Sequence, residues 1–137
     1  MKTLLAWFLG LPLLVMAGAQ PVAPYGEPVR FRKDRVVEFV DFSVRYLGER
    51  RVEDPMFKPG FIFHDFEIRS PGDVRTVSWS SGTGVIDSVE FTVDGSVFDL
   101  ELRGSVARKG RLRDDEMVVW PHAKFLEALA AARKPER

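Results

Sequence analysis

The chain has 137 residues, with 20 basic and 20 acidic side chains and no cysteine. This length suits a single domain that can bury a core without crosslinks. The balanced charge argues against electrostatic binding of nucleic acid or anionic lipid. Without cysteine, the chain has no disulfides, no thiol catalysis, no cysteine metal site and no lipid attached to an N-terminal cysteine.

The first 19 residues match the three parts of a cleavable signal peptide. Lys2 supplies the positive start, an apolar run extends to Met16, and Ala17–Ala19 provides the small residues of a cleavage site. The apolar run is shorter than the roughly 20 residues that a membrane-spanning helix needs. We therefore predict cleavage before Gln20 and export. The alternatives are an uncleaved N-terminal anchor and a buried helix.

An exported chain without cysteine is typical of bacterial envelope or secreted proteins, because small secreted eukaryotic domains usually depend on disulfides. The sequence therefore predicts a bacterial periplasmic or extracellular protein. Lys2 is the only charge removed, so the mature chain keeps 19 basic and 20 acidic side chains. No later stretch is apolar enough to span a membrane.

The mature chain divides into a leader, residues 20–28, and one β-rich domain, residues 29–137. The leader contains three prolines and one glycine, which predicts an extended segment; an edge strand that docks late is the alternative. The first β signal runs over 29–47. The even positions Val40, Phe42, Val44 and Tyr46 are apolar, although Glu38 breaks this face near its start, and Gly48 is expected to end the run.

Two further strands are predicted before the centre of the chain. In 61–69, His64 lies on the same side as Phe66 and Ile68, while Phe61, Phe63, Asp65 and Glu67 share the other side. Turn residues follow at 70–73, and 75–80 forms the next strand.

The clearest structural signal is a hairpin whose two alternating runs meet at Asp94-Gly95, a dipeptide that tight two-residue turns prefer. Turn and alternation agree on one register. One face should then be apolar and the other polar. The predicted cross-strand pairs are Phe91–Phe98, Val89–Leu100, Glu90–Asp99 and Ser88–Glu101.

The chain ends with a short strand over 116–120 and an amphipathic helix over 121–134. An apolar stripe, with Phe125, Leu126 and Leu129, is expected to dock the helix on the sheet beside Phe42, Phe66 and the inner face of the hairpin; an exposed partner-binding helix is the alternative. Because turns connect neighbouring strands, we predict a mainly β fold. The fold class is a small antiparallel meander forming a sandwich or barrel, with the C-terminal helix packed on it.

No catalytic or metal signature emerges. His64 and His122 are the only histidines and are far apart in sequence, so we expect no metal site and no cofactor. His64 on an apolar strand face is typical of a core histidine. A hydrolase would pair it with Ser80 or Ser81, but no Gly-x-Ser-x-Gly elbow is present and Asp65 faces away. We therefore expect a non-enzymatic protein.

The candidate binding surface combines the WSSGTG loop with the polar face of the hairpin. Like charges opposite each other in a ladder are unfavourable. The preferred interpretation is solvated acids, screened by arginines such as Arg69, Arg75 or Arg113; a bound cation or a basic partner protein is the alternative. Glycines also permit an anion-binding loop at SSGTG. The candidate residues are Trp79, Ser80, Ser81, Thr83, Glu90, Asp99 and Glu101.

These observations favour an exported β-domain that binds a macromolecular partner, of the envelope accessory, adaptor or inhibitor type. The partner is expected to be a protein or another envelope component. Two alternatives remain open. One is a carrier that holds a small apolar ligand in a β-barrel. The other is a small hydrolase that uses His64.

Overall fold

The computed structural model describes residues 21–58, 60–80, 88–106 and 110–134. The predicted signal peptide and residues 81–87, which include the predicted loop 81–84, lie outside this part of the chain. Two four-stranded antiparallel sheets face each other as a β-sandwich, and a C-terminal helix packs on one of them. The predicted fold class is confirmed, and the sandwich rather than the barrel is formed.

Ten strands and one helix make up the described chain. In chain order they are β1 (Val29–Arg30), β2 (Val36–Glu38), β3 (Ser43–Val52), β4 (Phe61–Ser70), β5 (Asp73–Ser80), β6 (Ser88–Val93), β7 (Ser96–Leu102), β8 (Gly104–Ser105), β9 (Gly110–Arg111), β10 (Glu116–Pro121) and α1 (His122–Ala132). Sheet I has the order β1-β10-β7-β6. Sheet II has the order β2-β3-β4-β5, and β8 pairs with β9.

The predicted hairpin is present as β6 and β7. Asp94 and Gly95 have φ values of 48° and 79°, the left-handed conformation at both turn positions that Asp-Gly accommodates. The strands pair in the predicted register, with Phe91 opposite Phe98 and Glu90 opposite Asp99. The turn chemistry and the alternation therefore fix this part of the fold.

The first β signal is not one strand, which corrects the prediction for 29–47: it divides into β1, β2 and the start of β3. Phe39 N donates to Phe42 O at 2.8 Å, so the chain reverses and β2 pairs with β3. The second strand then continues beyond Gly48 to Val52. The register shifts between Tyr46 and Gly48, because one extra residue is inserted as a bulge.

Aromatic side chains fill the space between the two sheets. Phe42 is central: its ring centroid lies 4.8 Å from that of Phe98 and 5.2 Å from that of Phe91. Elsewhere in the core, the ring centroids of Phe31 and Phe66 are 5.4 Å apart. Edge-to-face rings at these separations pack favourably, so phenylalanines supply much of the buried apolar surface.

The helix lies on the other face of sheet I, which corrects its expected place beside Phe42 and Phe66. The predicted range 121–134 narrows to His122–Ala132. Phe125 packs with Val118 and Trp120 in a second apolar cluster. The physical reason is that β10 is apolar on both faces. Leu126, which the stripe predicts as buried, is exposed.

Residues 21–28 contact both sheets. Ala23 N donates to Glu38 O at 2.7 Å, and Gly26 N donates to Val119 O at 2.8 Å. Tyr25 lies between them, with its ring 5.5 Å from that of Phe39. Within the described part of the chain, no helix combines the length and the hydropathy that crossing a membrane requires.

Candidate functional site

The residues that the sequence predicts for binding do not form one surface. Trp79 is fully buried in the core, and Ser80 is half-buried at the end of β5. Ser81 and Thr83 lie outside the described residues. The three acidic candidates lie on sheet I, on the strands that the hairpin contributes.

Two of those acids are buried rather than solvated, which corrects the preferred interpretation. Asp99 and Glu101 are each 3% exposed. Their face of β7 points away from the inter-sheet core, toward α1 and the second apolar cluster. Glu101 accepts hydrogen bonds from Trp120 Nε1 at 2.8 Å and from Val106 N at 3.2 Å. These bonds offset the cost of burying its carboxylate.

A histidine that the sequence did not connect with the acids completes this region. His122, the first residue of α1, donates from Nδ1 to Asp99 Oδ2 at 2.7 Å and lies 3.9 Å from Glu90 Oε2. We call Glu90, Asp99 and His122 the acid–histidine cluster. The arginines suggested as screening partners pair with other acids: Arg69 with Glu67, Arg75 with Asp73 and Arg113 with Glu116.

Contacts within the cluster shift the pKa values of Asp99 and His122. The hydrogen bond to Asp99 raises the pKa of His122 above its usual range. Burial raises the pKa of Asp99, and the hydrogen bond from His122 opposes that rise. The positive imidazolium and the buried carboxylate therefore stabilise each other, while Glu90 keeps most of its side chain in solvent.

A second feature is a cleft of about 360 Å³ at one end of the sandwich, lined by residues including Tyr46, His64 and Arg103. His64 Nδ1 shares a hydrogen bond of 2.9 Å with the Tyr46 hydroxyl, and its Nε2 is buried with no partner among the described residues. Burial lowers the pKa of His64. Arg103 has a φ of 63° and its guanidinium carbon lies 5.6 Å from the Trp79 ring centroid.

The cleft does not bring the predicted hydrolase residues together. Asp65 points to the opposite face of sheet II, as alternation predicts. It accepts from Arg50 Nε at 3.1 Å and from Ser78 Oγ at 2.6 Å. Among the described residues, the hydrogen bond of His64 goes to Tyr46 and not to Ser80, and Ser81 lies outside this part of the chain.

The third feature is an exposed apolar surface at the tip of the β3–β4 hairpin. Met56 is 86% exposed and Phe57 is 57% exposed. Phe57 contacts Phe61 at 5.6 Å between ring centroids, and Phe61 contacts Phe63 at 6.5 Å. We call this surface the tip patch; it comprises Val52, Met56, Phe57, Phe61 and Phe63.

The loop that carries the tip patch is built by local hydrogen bonds. Asp54 Oδ1 accepts from Met56 N at 2.7 Å and from Phe57 N at 3.2 Å, a turn that aspartate commonly makes. Gly60 N donates to Phe57 O at 2.7 Å, and Gly60 has a φ of 89°. A Cβ at Gly60 would lie 2.5 Å from Val52 O. Backbone hydrogen bonds at Met56 and Phe57 therefore hold the part of the loop that presents these two exposed apolar residues.

The sheet face beside the tip patch is not covered by the helix. Arg50 lies over the Phe63 ring, with its guanidinium carbon 4.7 Å from the centroid, and it pairs with Asp65. Both signs of charge also occur in the loop, which carries Glu53 and Lys58. A cation–π contact and an ion pair thus hold the polar border of the patch in place.

Sequence reasoning missed both His122 and the tip patch. The segment 54–60 reads as a proline-containing loop, yet Met56 and Phe57 are two large apolar residues in a segment that solvent should surround. Two large apolar side chains in a predicted surface loop were the signal from which the tip patch could have been predicted. His122 gave none, because it is 23 positions from Asp99 and their contact depends on how β7 pairs with β10.

Comparison with protein-family models, with curated protein sequences and with solved structures returns no match for this chain. Function must therefore be inferred from the geometry of the chain itself.

Proposed function

We propose that this protein is an exported, non-enzymatic β-domain that binds another protein through the tip patch, as an envelope accessory, adaptor or inhibitor. One observation carries the proposal. Met56 and Phe57 project into solvent from a turn whose backbone is hydrogen-bonded to Asp54, next to the partly exposed rings of Phe61 and Phe63. Contiguous exposed apolar surface rimmed by polar groups is typical of interaction sites.

The local hydrogen bonds at Met56 and Phe57 support binding rather than simple exposure. A partner that meets Met56 and Phe57 on a preformed turn loses less conformational entropy than one that must order a flexible loop. Aromatic side chains are also enriched among the residues that dominate interface energetics. The bonds made by Asp54 and Gly60 therefore favour affinity.

The charges around the tip patch favour a protein over a lipid surface. Anionic membranes attract segments with a uniform excess of lysine and arginine. Here Arg50 is neutralised by Asp65, and Glu53 accompanies Lys58 in the loop. A mixed border of this kind matches the polar rim of a protein–protein interface.

The carrier alternative receives no comparable support. It requires an apolar cavity inside a barrel, whereas the chain forms a sandwich. Phe42, Phe91 and Phe98 occupy the space between the sheets, with ring centroids 4.8 to 5.8 Å apart. An apolar ligand would have to displace these rings.

The test is capture of partners from envelope extract of the native host by three forms of the immobilised protein. They are the wild type, the double variant Met56→Ser/Phe57→Ser and the control Val40→Ser. Val40 is 78% exposed at the β2–β3 turn, so the control also removes a large exposed apolar side chain. We expect a partner held equally by wild type and control, and at least about tenfold less by the double variant.

Equal capture by all three forms would contradict the proposal, as would no retained protein at all. Capture of nothing except further copies of the same chain would replace it with self-association. Circular dichroism and thermal melting of each form establish that the double variant is folded before capture is compared.

A further inference from the structure

We propose that Glu90, Asp99 and His122 bind a divalent transition metal ion of the zinc type. This site is separate from the tip patch and does not depend on the proposed function. The three residues come from β6, β7 and the first position of α1. Their ligand atoms all lie within 4.8 Å of one another.

The donor atoms suit such an ion. Imidazole nitrogen and carboxylate oxygen are ligands of zinc, at bond lengths of about 2.0 to 2.2 Å. The same donors also suit manganese, iron and cobalt. Three protein ligands leave at least one coordination position for water or another ligand. The cluster therefore matches an open site rather than a closed structural one.

The distances place two ligands nearly in position and leave the third free to move. His122 Nδ1 and Asp99 Oδ2 are 2.7 Å apart, slightly closer than two atoms bound to one tetrahedral ion. Glu90 Oε2 is 3.9 Å from His122 Nδ1, and its side chain is 62% exposed. To share one ion, the exposed Glu90 side chain would rotate toward the pair and His122 would move slightly away from Asp99.

Charge supplies the second argument. Glu90 and Asp99 stand directly opposite each other in the ladder, a pairing that repulsion disfavours. Within the described chain, His122 is the one basic side chain with a nitrogen within 4.0 Å of either acid. A proton on His122 leaves the cluster with one negative charge, whereas a divalent ion bound to neutral His122 makes it neutral.

The burial of Asp99 increases the effect of the net charge of the cluster on its free energy. Asp99 is 3% exposed, so water screens its charge poorly, and ion binding stabilises it more than it would stabilise a surface carboxylate. The ion would replace the proton that His122 now shares with Asp99. Only the neutral imidazole coordinates a metal, so the ion takes the place of that proton.

The test is calorimetric titration of the untagged, metal-free protein with Zn²⁺ and with Mn²⁺. We expect one ion per wild-type chain. Glu90→Gln and His122→Gln should each weaken binding at least about tenfold, the scale on which even outer-sphere substitutions act. The control is Glu127→Gln, which removes an exposed carboxylate from the same helix and should leave the affinity within twofold of wild type.

The ring signals of the two histidines provide a second measurement by NMR, which needs no variant to fold. Zn²⁺ should shift the signals of His122 and leave those of His64 unchanged, because His64 is buried on the other sheet. Glu90→Gln keeps the test valid if His122→Gln does not fold. No stoichiometric binding, equal binding by wild type and Glu90→Gln, or unshifted His122 signals would each overturn the proposal and leave a proton-mediated ion pair.

Discussion

The two histidines of the chain lie in opposite electrostatic surroundings. His64 is buried between Tyr46 and Trp79, and removal from water disfavours its charged form. His122 is partly exposed and donates a short hydrogen bond to the carboxylate of Asp99, which favours the charged form. Identical side chains therefore have pKa values displaced in opposite directions from 6.5.

NMR titration of the metal-free protein checks this difference. We expect the ring signals of His122 to titrate above pH 6.5 and those of His64 below it, with both signals assigned by through-bond correlation in the isotope-labelled wild-type chain. The reverse order would show that the environments are wrongly described. Since the measurement uses the intact wild-type chain, loss of folding in a variant does not affect it.

The pKa shifts of His64 and His122 determine how each residue makes stability depend on pH. The pKa of His64 is lower in the folded than in the unfolded chain, so its contribution is present above pH 6.5 and is lost as the pH falls through the folded value. The pKa of His122 is raised, so its contribution is present below pH 6.5 and is lost as the pH rises through the folded value. Stability should therefore decline in both directions from near pH 6.5 through these two residues.

At the residue scale, alternation predicted which face a side chain occupies but not what covers that face. His64 shares its side of β4 with Phe66, and Asp65 faces away, as the sequence suggests. The burial of Asp99 was not predictable, because it depends on α1 lying over a polar strand face. An acid on an alternating strand normally indicates solvent.

The β3–β4 loop owes its shape to Gly60, and Gly72 offers a matched comparison. Both have positive φ, 89° and 80°, but a Cβ at Gly60 would lie 2.5 Å from Val52 O, whereas one at Gly72 meets nothing within 4 Å. Alanine at either position costs about 1 to 2 kcal/mol for the left-handed backbone. Gly60→Ala should cost about 1 to 3 kcal/mol more through overpacking.

Urea unfolding of the two variants measures that difference in the free energy of unfolding. Equal losses for Gly60→Ala and Gly72→Ala would contradict the close approach of the loop to β3. A larger loss at Gly60 would support the ordered presentation of Met56 and Phe57.

The docking of α1 depends on Phe125, whose ring lies 6.4 Å from that of Trp120. Phe125→Ala removes a buried aromatic side chain and should reduce the free energy of unfolding by about 3 to 5 kcal/mol. Leu126→Ala, on the exposed side of the same helix, should change it by no more than about 0.5 kcal/mol. Urea unfolding monitored by circular dichroism gives both values.

Similar effects of Phe125→Ala and Leu126→Ala would mean that the helix does not pack on sheet I in the described orientation. Tryptophan fluorescence adds a local measurement, because loss of Phe125 should expose Trp120 to solvent and shift its emission to longer wavelength.

At the element scale, the sequence predicted best where local chemistry determines the structure. Asp94-Gly95 fixed the β6–β7 register, and Pro121 marked the start of the helix. The reversal at Phe39–Phe42 was not predicted, because the apolar even positions continue from Val40 to Tyr46 and the turn contains no glycine or proline. The side of the sheet that α1 covers depends on long-range packing, and the one local signal for it, the apolar run at 117–120, was not used.

At the scale of the whole molecule, the two sheets differ in their outer faces. Helix α1 covers the outer face of sheet I, while the outer face of sheet II carries ion pairs at its centre and the tip patch at one end. This asymmetry gives the domain one closed side and one accessible side. We expect partner contacts to be concentrated on the accessible side.

Photo-crosslinking in cells of the native host tests the proposed function most directly. A photoreactive phenylalanine analogue replaces Phe57 in one form of the protein. In the other form it replaces Leu126, which is exposed on the solvent side of α1. Position 57 should give one discrete adduct with another protein, lost when Met56→Ser is added, and position 126 should give none. The same adducts from both positions, or none from position 57, would contradict binding through the tip patch.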